Sequence, residues 1–509
     1  MNFKILSSRI FTGNPEQPWA EALCCRDDRI AAIGTNSQIN AIDGTCETFE
    51  LHGRLVTPGF VDAHTHLTTF GMTLRWVDLN NLTSVEACRE QIREAAAKIA
   101  PGAWLIGRGW NHHLWPGEQE PNRHDLDDLL PNNPAMMIRT CGHSVWVNSK
   151  ALEQSNITCN TPDPSGGRID RDEHGNPTGI LREARQLIEE HIPPLTRDDL
   201  KQAVRSAQDV MLRFGLTGVR TMESFAPWEA VSELDKENGL KLRVYHLVSP
   251  DHLEQGIAAG LAPGKGSEHV WGGQVKLFAD GSLGAATAFL HEPYTDEPAN
   301  CGLPYLTTEQ LQDCTERAYQ NGFDVAIHAI GDRAFTNSLD AIEAARKKYP
   351  GAWRDSIEHV QLVRTQDLER CRALGITASI QPRFIMTDYK VASAKWGLDR
   401  CRNAYALRNV LQHDIPLQFS SDTPVETCDP RHGLYAAVTR QTPDSNPVGG
   451  WFPDQCLTLA EAIKGYTSRH AWVTHRDWDL GMLSLGRTKE WFAVDTEMTI
   501  VNGDIAYHV

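Results

Sequence analysis

Apolar strand candidates alternate with helical segments along most of this 509-residue chain, from about residue 57 to residue 479. The clearest strand candidates are TGVRTM, QVKLFA, DVAIHAI, DSIEHV, GITASIQ and PLQFSSD. Helical stretches such as TNSLDAIEAARKKY and TQDLERCRALG lie between them. Strands that alternate with helices build parallel βα units. The number of these units, together with the absence of a GxGxxG phosphate loop, predicts an α/β fold, a TIM (β/α)8 barrel rather than an open sheet.

Both ends of the chain differ from the barrel region in their sequence pattern. Residues 1–56 contain short β-type runs such as FKILSSRIFTG. Residues 480–509 contain similar runs, with an Asn502-Gly503 pair that suits a two-residue hairpin turn. Two β-rich ends around a different middle predict one small β-sandwich domain built from both termini. The barrel domain then occupies residues 57–479.

A segment of about residues 70–195 interrupts the βα repeat. It is rich in Trp, Gly, Pro and Asn, as in GRGWNHHLWPGEQEPNRHDLDDLLPNNP. We interpret it as a long insertion after the first barrel strand, which folds over the mouth of the barrel. Near its start, LTSVEACREQIREAAAKIA has helical periodicity, and Thr83 or Ser84 is the expected N-terminal cap.

The charge and the cysteines limit the partners and the compartment. The formal charge is −17, which argues against nucleic acid and anionic membranes as partners, because phosphate binding needs clustered Lys and Arg. No apolar run is long enough for a membrane span, and MNFKILSSRIFTG lacks the features of a signal peptide. The 12 cysteines lack CxxC pairs, so we expect reduced thiols rather than disulfides. These features predict a cytoplasmic protein, and they are compatible with a small-molecule substrate and a homodimer.

The segment VTPGFVDAHTHL contains two histidines, His64 and His66, one residue apart after an apolar run. Residues i and i+2 of a strand face the same way. Both imidazoles are therefore predicted to point into the barrel at its carboxyl-terminal rim, where barrel active sites lie. Four later residues of ligand or bridging type end or interrupt other apolar runs. They are Lys276, His328, His359 and Asp422.

Each of these six residues has an ordinary structural explanation when it is taken alone. A strand-end histidine is commonly a core residue, Lys276 suits a buried ion pair, and the Asp422 carboxylate suits a helix cap. Six such residues at predicted carboxyl-terminal strand ends are hard to explain by chance. Together they predict a metal site, because neutral imidazoles and a carboxylate bind Zn²⁺ or a similar divalent ion.

Several motifs resemble those of a known family. PGFVDAHTHL, the strand lysine, the strand-end histidines and the SSD aspartate are similar to the amidohydrolase superfamily. VKLFADGSLGAATAFLHEPYTD, RTCGHSVWVNSKAL, HAIGDRA and IEHVQLV resemble its YtcJ-like branch (the Amidohydro_3 group), which includes N-substituted formamide deformylase. The resemblance covers nearly the whole chain. It implies a metal-dependent hydrolase on a TIM barrel with a split β-sandwich, and it suggests that Lys276 is carboxylated to a carbamate that bridges two ions.

The predicted function is hydrolysis of a linear C–N bond, in an amide, formamide or N-acyl compound, by a metal-activated water. We expect one or two divalent ions, with zinc favoured, and the six residues above as ligands. Asp422 is also the expected catalytic group, which accepts a proton from the water and passes it to the leaving nitrogen. The alternatives are a cyclic amidohydrolase, a deaminase and a non-catalytic barrel scaffold, and the six filled ligand positions oppose the scaffold.

Three further residues are candidates for substrate contact. They are His143, Asp280 and Trp110. The structural alternatives are that Trp110 only packs the insertion and that Asp280, in the sequence ADGS, only shapes a turn. After the DGSLG motif this chain has Ala285-Ala286, where relatives often have an arginine. If that arginine binds substrate anions in the relatives, a different substrate is expected here.

Overall fold

The computed structural model describes residues 2–164, 166–486, 491–493, 498–501 and 504–508. The chain divides into two compact units, one of Met1–Gly71 with Leu200–Val509 and one of Met72–Asp199. The predicted Asn502-Gly503 turn lies outside the described residues. Among the helices of the described part, none is long and apolar enough to cross a membrane.

Eight parallel strands of the described residues form a nearly closed barrel in the first unit. In hydrogen-bonded order they are Leu417–Phe419, Thr377–Ile380, Ser356–His359, Asp324–Ala329, Val270–Phe278, Arg243–Val248, Leu216–Met222 and Phe60–Thr65. A parallel bridge between Thr65 and Thr423 brings the two ends of this sheet together. The predicted TIM-like barrel is confirmed. The alternation did not predict the strand Arg243–Val248, because arginine and histidine interrupt its apolar run RVYHLV.

The barrel strands are buried on both faces, as parallel strands under helices usually are. In the strand Asp324–Ala329, Val325 and Ile327 belong to the main hydrophobic core. Ala326 belongs instead to a smaller apolar cluster with Tyr245 and Leu247. Successive side chains of a strand point to opposite faces. The strand therefore contributes to two separate packing layers, and one of its two faces also carries the predicted ligand His328.

Helices follow most of the barrel strands, as the alternation predicted. The α-helices of the described chain are Asn36–Asn40, Leu67–Thr73, Val85–Ala96, His124–Asp127, Ser149–Gln154, Gln186–Glu189, Arg197–Arg213, Phe225–Lys236, Leu253–Ala258, Thr308–Gln320, Asp332–Lys348, Thr365–Ala373, Phe384–Trp396, Leu398–Cys401, Leu407–Gln412, Pro430–Thr439, Leu459–Gly465 and Ser468–Val473. Short 3-10 helices are His112–Leu114, Pro116–Glu118, Pro250–His252 and Pro453–Gln455. A two-residue strand, Lys265–Gly266, pairs antiparallel with Val270–Phe278.

Two further sheets of the first unit use the ends of the chain. One has the strand order Arg29–Gly34, Ala22–Arg26, Phe3–Leu6 and Glu47–Glu50. The other has the order Asp504–His508, Met498–Val501, Trp491–Ala493, Leu55–Pro58, Arg9–Phe11 and Trp19–Ala20. Antiparallel pairing of Trp491 with Pro58 joins the two ends of the chain in this second sheet. A small β-sandwich domain with the bounds 1–56 and 480–509 stays a prediction.

The second unit, Met72–Asp199, contains a sheet of its own. Its strand order is Arg168–Arg171, Pro177–Arg182, Ser144–Val147, Ala135–Arg139, Leu105–Trp110 and Val77–Asp78. The helix Val85–Ala96 begins after Ser84, whose hydroxyl accepts a hydrogen bond from the amide of Ala87 at 3.0 Å. Of the two predicted caps, Ser84 is therefore the cap. Placement of this segment over the barrel mouth stays a prediction.

Candidate metal centre

The six predicted metal ligands lie together at the carboxyl-terminal end of the barrel. All of them line one cavity with a volume of about 470 Å³. His64 and His359 lie in the last two positions of their strands, and His66 directly follows its strand. Lys276 lies two residues before the end of its strand, His328 lies one residue before the end of its strand, and Asp422 follows its strand by three residues. This rim is where barrel enzymes have their active sites.

Left-handed backbone at His359 and Asp422 helps to bring the side chains together. The φ angles are 74° for His359 and 60° for Asp422. Glu358 and His359 are neighbours, and in a regular strand they would face opposite ways. Instead Glu358 accepts a hydrogen bond from His64, and the ring centroid of His359 is 4.7 Å from that of His64. Backbone strain of this kind clusters at functional sites.

One ring nitrogen of each of the first two histidines is engaged by a protein acceptor. Nδ1 of His64 donates to Oε2 of Glu358 at 2.9 Å, and Nδ1 of His66 donates to the carbonyl oxygen of Met222 at 3.1 Å. These bonds set the tautomer in which Nε2 carries the lone pair. Nε2 faces Oδ1 of Asp422 in both rings, at 3.5 Å from His64 and 3.3 Å from His66.

The other two histidines have a similar arrangement. Nε2 of His328 donates to the carbonyl oxygen of Gly281 at 2.9 Å, and Nδ1 of His359 donates to Oε1 of Gln381 at 2.9 Å. Gln381 is held in turn by Ser420, to whose hydroxyl it donates at 2.9 Å. The rings of His328 and His359 lie edge to face, with centroids 4.4 Å apart. Each of the four histidines thus has one ring nitrogen bonded to a protein acceptor, which is the arrangement usual in metal-binding histidines.

Burial sets the charge of most of these imidazoles. It lowers the pKa of His64 to about 4 and the pKa of His359 to about 3. It also lowers the pKa of His328 well below the ordinary value. At His66 burial acts in the same direction, but the neighbouring carboxylate of Asp422 outweighs it and raises the pKa. Because a metal binds the neutral imidazole, three of the four rings are in the binding form at neutral pH.

Asp422 completes the set of donor atoms. His64, His66 and Asp422 each offer one ligand atom, and these three atoms lie within 4.8 Å of one another. Burial alone would raise the pKa of Asp422, but His64 and His66 together hold it below its ordinary value. Its buried Oδ1 has no hydrogen-bond partner among the described residues. An anionic oxygen that faces two imidazole nitrogens needs a proton or a cation between them, so this set fits a divalent metal ion.

Lys276 lies deeper in the barrel than His328. Its register partner on the neighbouring strand is Ala326, whereas the partner of His328 is Phe278. The Nζ atom is 4.7 Å from the centroid of the Phe278 ring and is without a hydrogen-bond partner in the described part of the chain. Burial lowers the pKa of Lys276 to about 8. A buried amine without a partner is costly, and a group bound in the cavity would supply one.

Arg220 and Glu358 belong to the same site, and the sequence patterns did not identify them. Their side chains are 0% exposed and form an ion pair inside the barrel. Ser356 donates a further hydrogen bond to Oε1 of Glu358 at 2.6 Å. Burial alone would raise the pKa of Glu358, but Arg220 holds it well below its ordinary value. A glutamate inside the buried run SIEHV was the available signal, since such a charge needs a partner.

Asp280 holds two loops together. Its buried carboxylate accepts hydrogen bonds from the backbone amides of Phe289 at 2.8 Å, Ile330 at 3.0 Å and Gly331 at 2.8 Å. Burial raises the pKa of Asp280 to about 7, against the effect of these bonds. The contacts favour the structural alternative, in which Asp280 shapes the loop after its strand. Direct contact between Asp280 and substrate stays a prediction.

Trp110 and His143 belong to the second compact unit. Trp110 is fully buried, packs edge to face against Trp146 with centroids 6.2 Å apart, and donates from Nε1 to the carbonyl oxygen of Met137 at 2.8 Å. These contacts favour the packing alternative for Trp110. His143 is exposed, and its Nδ1 lies 3.0 Å from a carboxylate oxygen of Glu183. Contact of either residue with substrate stays a prediction.

The remaining walls of the cavity combine apolar and polar side chains. The apolar ones are Phe278, Leu283, Ile330, Phe384 and Val425. The polar ones are Ser282, Gln361, Thr387, Asp388 and Glu426. Of the residues described, no arginine lines this cavity, and Lys276 is its one basic aliphatic side chain. The cavity therefore suits a small organic molecule better than a strongly anionic one.

Comparison with known proteins decides the family. The model of the amidohydrolase family matches residues 47–488. This chain belongs to the amidohydrolase family. YtcJ of Bacillus subtilis (strain 168) is 32% identical over 522 aligned residues, which cover 98% of this chain and 98% of the relative. The N-substituted formamide deformylase of Arthrobacter pascens is 26% identical over 509 residues, which cover 97% of this chain and 93% of the relative.

A solved structure agrees with this assignment. An uncharacterized metal-dependent hydrolase from Pyrococcus furiosus superposes on this amidohydrolase with a TM-score of 0.81 and 33% identity. The match covers 97% of this chain and 99% of the other. The resemblance inferred from the motifs is confirmed, including the YtcJ-like branch. The chain is a hydrolase of the metal-dependent amidohydrolase superfamily.

Changing His64 and His66 together to alanine should remove most of the bound metal and all turnover of this amidohydrolase. Two of the clustered donor atoms are lost, while the fold keeps its strands. The measurement is the metal content of purified protein by emission spectroscopy, with circular dichroism as the test of folding. The matched control is the double variant His413→Ala and His432→Ala, two histidines outside the cavity lining. Full metal content in the first variant would contradict the site.

Proposed function

We propose that this protein is a metal-dependent amidohydrolase that hydrolyses a linear C–N bond in an amide, formamide or N-acyl compound. The observation that carries the proposal is the single cavity into which four histidines, one aspartate and one lysine converge. The similarity to the N-substituted formamide deformylase of Arthrobacter pascens supports a C–N bond as the target. The reaction would add one water molecule across this bond and release an acid and an amine.

The residues fit one or two divalent ions, and we propose zinc. His64, His66, His328, His359 and Asp422 would hold the ion or ions, because imidazole nitrogen and carboxylate oxygen are the donors that zinc prefers. When bound, such an ion polarises a carbonyl group and lowers the pKa of water to about 7. The chain supplies the donors already oriented, since each ring has one nitrogen bonded to a protein acceptor.

Carboxylation of Lys276 is part of the proposal. The Lys276 ammonium would first lose one proton, and the neutral amine would then attack CO₂, which forms a new N–C bond, opens one C=O π bond and releases a second proton to give an anionic carbamate. The pKa of Lys276, lowered by burial to about 8, increases the neutral fraction available for this step. The carbamate would offer two oxygen atoms as further metal ligands. It would also remove the free-energy cost of burying the Lys276 ammonium, which lacks a hydrogen-bond partner within the described residues.

Asp422 is the proposed proton carrier. Its carboxylate lies against Nε2 of His64 and His66, and Oδ1 is without a hydrogen-bond donor from the described chain. The pKa held below its ordinary value keeps the carboxylate ionised in neutral solution. Asp422 would accept a proton from the attacking water and deliver it to the departing nitrogen. Delivery of that proton lets the nitrogen leave as a neutral amine.

The cavity walls favour neutral substrates with an apolar group. Phe278, Phe384 and Val425 offer apolar surface, and no arginine among the described residues lines the cavity. We therefore expect zinc-loaded protein to hydrolyse members of a library of N-formyl and N-acyl amines, with release of amine as the measurement. Cyclic amides and aminated heterocycles serve as comparison compounds. Turnover of those compounds alone would contradict a linear C–N bond as the target.

Replacing Asp422 with asparagine should separate proton transfer from metal binding. Asn keeps the shape and one ligand oxygen of Asp but cannot accept the proton. Since general acid–base catalysis contributes about 10²–10⁴-fold, kcat should fall by at least that range while most of the metal stays bound. The loss is in the transition state, so kcat and kcat/KM should fall together.

The matched control for this variant is Asp340→Asn, the same change at a carboxylate that pairs with Arg370 at the surface. Its kcat and metal content should equal those of the unchanged protein. Near-normal kcat in Asp422→Asn would refute the assignment of Asp422. The proton would then travel through another group.

Replacing Lys276 with alanine should abolish turnover, and small carboxylic acids added with metal should partly restore it. The added carboxylate would take the place of the carbamate. The measurement is kcat as a function of acid concentration, with Lys347→Ala, a change at an exposed lysine, as control. An unmodified Lys276 that points away from the metal, in active crystals grown with bicarbonate, would contradict the carboxylation.

A further inference from the structure

Beneath the histidines, the barrel interior contains a fully buried ion pair. Arg220 Nη2 donates to Oε1 of Glu358, and neither side chain is exposed. Arg220 Nη1 also donates to the hydroxyl of Ser356 at 3.2 Å, and that hydroxyl donates to Oε1 of Glu358 at 2.6 Å. The second carboxylate oxygen of Glu358 accepts the Nδ1 hydrogen of His64 at 2.9 Å. Arg220, Ser356, Glu358 and His64 therefore form one continuous network.

Stability alone is a weak reason for such a pair. The interior of a TIM barrel is usually filled by branched apolar side chains. Replacing a buried ion pair by apolar residues of similar volume is often neutral or stabilising, because two charges must lose their water. The network also reaches the candidate metal site, because the second carboxylate oxygen of Glu358 accepts a hydrogen bond from His64. The geometry of the network therefore indicates a role in orienting the His64 imidazole.

His64 differs from the other site histidines in the charge of its acceptor. His66 donates to the Met222 carbonyl, His328 donates to the Gly281 carbonyl, and His359 donates to the Gln381 amide oxygen. These three acceptors are neutral. The acceptor for His64 is a carboxylate, and a hydrogen bond to an ionised acceptor is roughly twice as strong as one between neutral groups. A carboxylate in this place also makes the imidazole a stronger metal ligand.

We propose that Glu358, held by Arg220 and Ser356, is a positioning residue that fixes the imidazole of His64 with Nε2 turned toward the metal site and strengthens it as a ligand. This inference rests on the proposed metal-dependent function. Glu358 does not touch substrate, and its contribution passes through His64. Arg220 acts one step further away, because it keeps a buried carboxylate paired with an opposite charge. Loss of the network should weaken metal binding more than it weakens the fold.

The test uses two double variants of the full-length protein. Arg220→Met with Glu358→Gln removes both charges but keeps an amide oxygen that can accept the Nδ1 hydrogen. Arg220→Met with Glu358→Met removes the acceptor as well. In both variants the arginine and glutamate charges are removed together, so neither is left buried without the other. The control is Arg346→Met with Asp355→Asn, another ion pair with a fully buried carboxylate, whose partners Tyr319 and Val325 lie outside the cavity lining.

The measurements are the dissociation constants for Zn²⁺ and Co²⁺ by competition with a chelator, the Co²⁺ absorption spectrum, and the urea midpoint. We expect Zn²⁺ to bind about 10- to 100-fold more weakly in the Gln variant, and more weakly still in the Met variant. The Co²⁺ spectrum should change in both, while the urea midpoint stays close to that of the unchanged protein. The control variant should keep the metal affinity and the spectrum.

Three results would overturn the inference. Equal metal affinity in all variants would show that the charge at Glu358 does not matter to His64. An equal loss of affinity in the control variant would show an indirect effect of a weakened barrel. Failure of the unchanged protein to bind Zn²⁺ or Co²⁺ would overturn the proposed metal site itself, and this outcome is distinguishable because it appears before any variant is made.

A second measurement does not depend on the folding of a variant. In metal-free, ¹⁵N-histidine-labelled protein, His64 should carry its proton on Nδ1, with a resonance shifted downfield by the carboxylate acceptor. Addition of Zn²⁺ should shift the Nε2 resonance of His64 and leave the Nδ1 proton in place. A proton on Nε2 of His64 in the metal-free protein, with none on Nδ1, would overturn the assignment.

Discussion

The seam that closes the barrel is the constraint on which the rest of the site depends. The amide of Asp422 donates to the carbonyl oxygen of His64 at 2.9 Å, and the amide of His66 donates to the carbonyl oxygen of Thr423 at 2.9 Å. The buried carboxylate of Asp62 accepts the amide hydrogen of Ser421 at 2.9 Å. These bonds hold an aspartate from late in the chain against two histidines from its beginning. The donor atoms meet because the last strand lies beside the first.

The low dielectric of the barrel interior then decides which groups are charged. Burial lowers the pKa of His64 to about 4, so this imidazole is neutral at pH 7, and it lowers the pKa of Lys276 to about 8, which increases the neutral fraction of that amine. Glu358 keeps its charge because Arg220 lies against it. The candidate ligands thus combine neutral nitrogen donors with the carboxylate of Asp422, a set for which a divalent cation is a suitable counter-charge. The same burial that builds the core keeps most of the candidate imidazole ligands neutral.

Most of the barrel strands and all six candidate ligands could be predicted from the sequence. The signals are apolar runs and the polar residues within or after them, and both are visible in short segments. Strands buried on both faces appear as apolar runs, so a lysine or histidine within such a run is an anomaly that needs a partner. The strand Arg243–Val248 was not predicted, because arginine and histidine interrupt the apolar residues of its six-residue sequence RVYHLV. For Asp280 and Trp110 the sequence left two explanations open. At Asp280 the sequence shows an aspartate in either case, whether its carboxylate binds backbone amides or a substrate.

By itself, the sequence determined the alternation of strands and helices, the β-rich ends, and the placing of ligand-type residues at strand ends. These are properties of periodicity and residue chemistry, which are visible within short segments. Only the tertiary structure decided which ring nitrogen of each histidine is committed to the protein. Only the tertiary structure paired His64 with Glu358, which is 294 residues away in the chain. The physical reason is that a hydrogen bond depends on distances of a few ångströms, and the closed barrel alone sets those distances between strands that are remote in sequence.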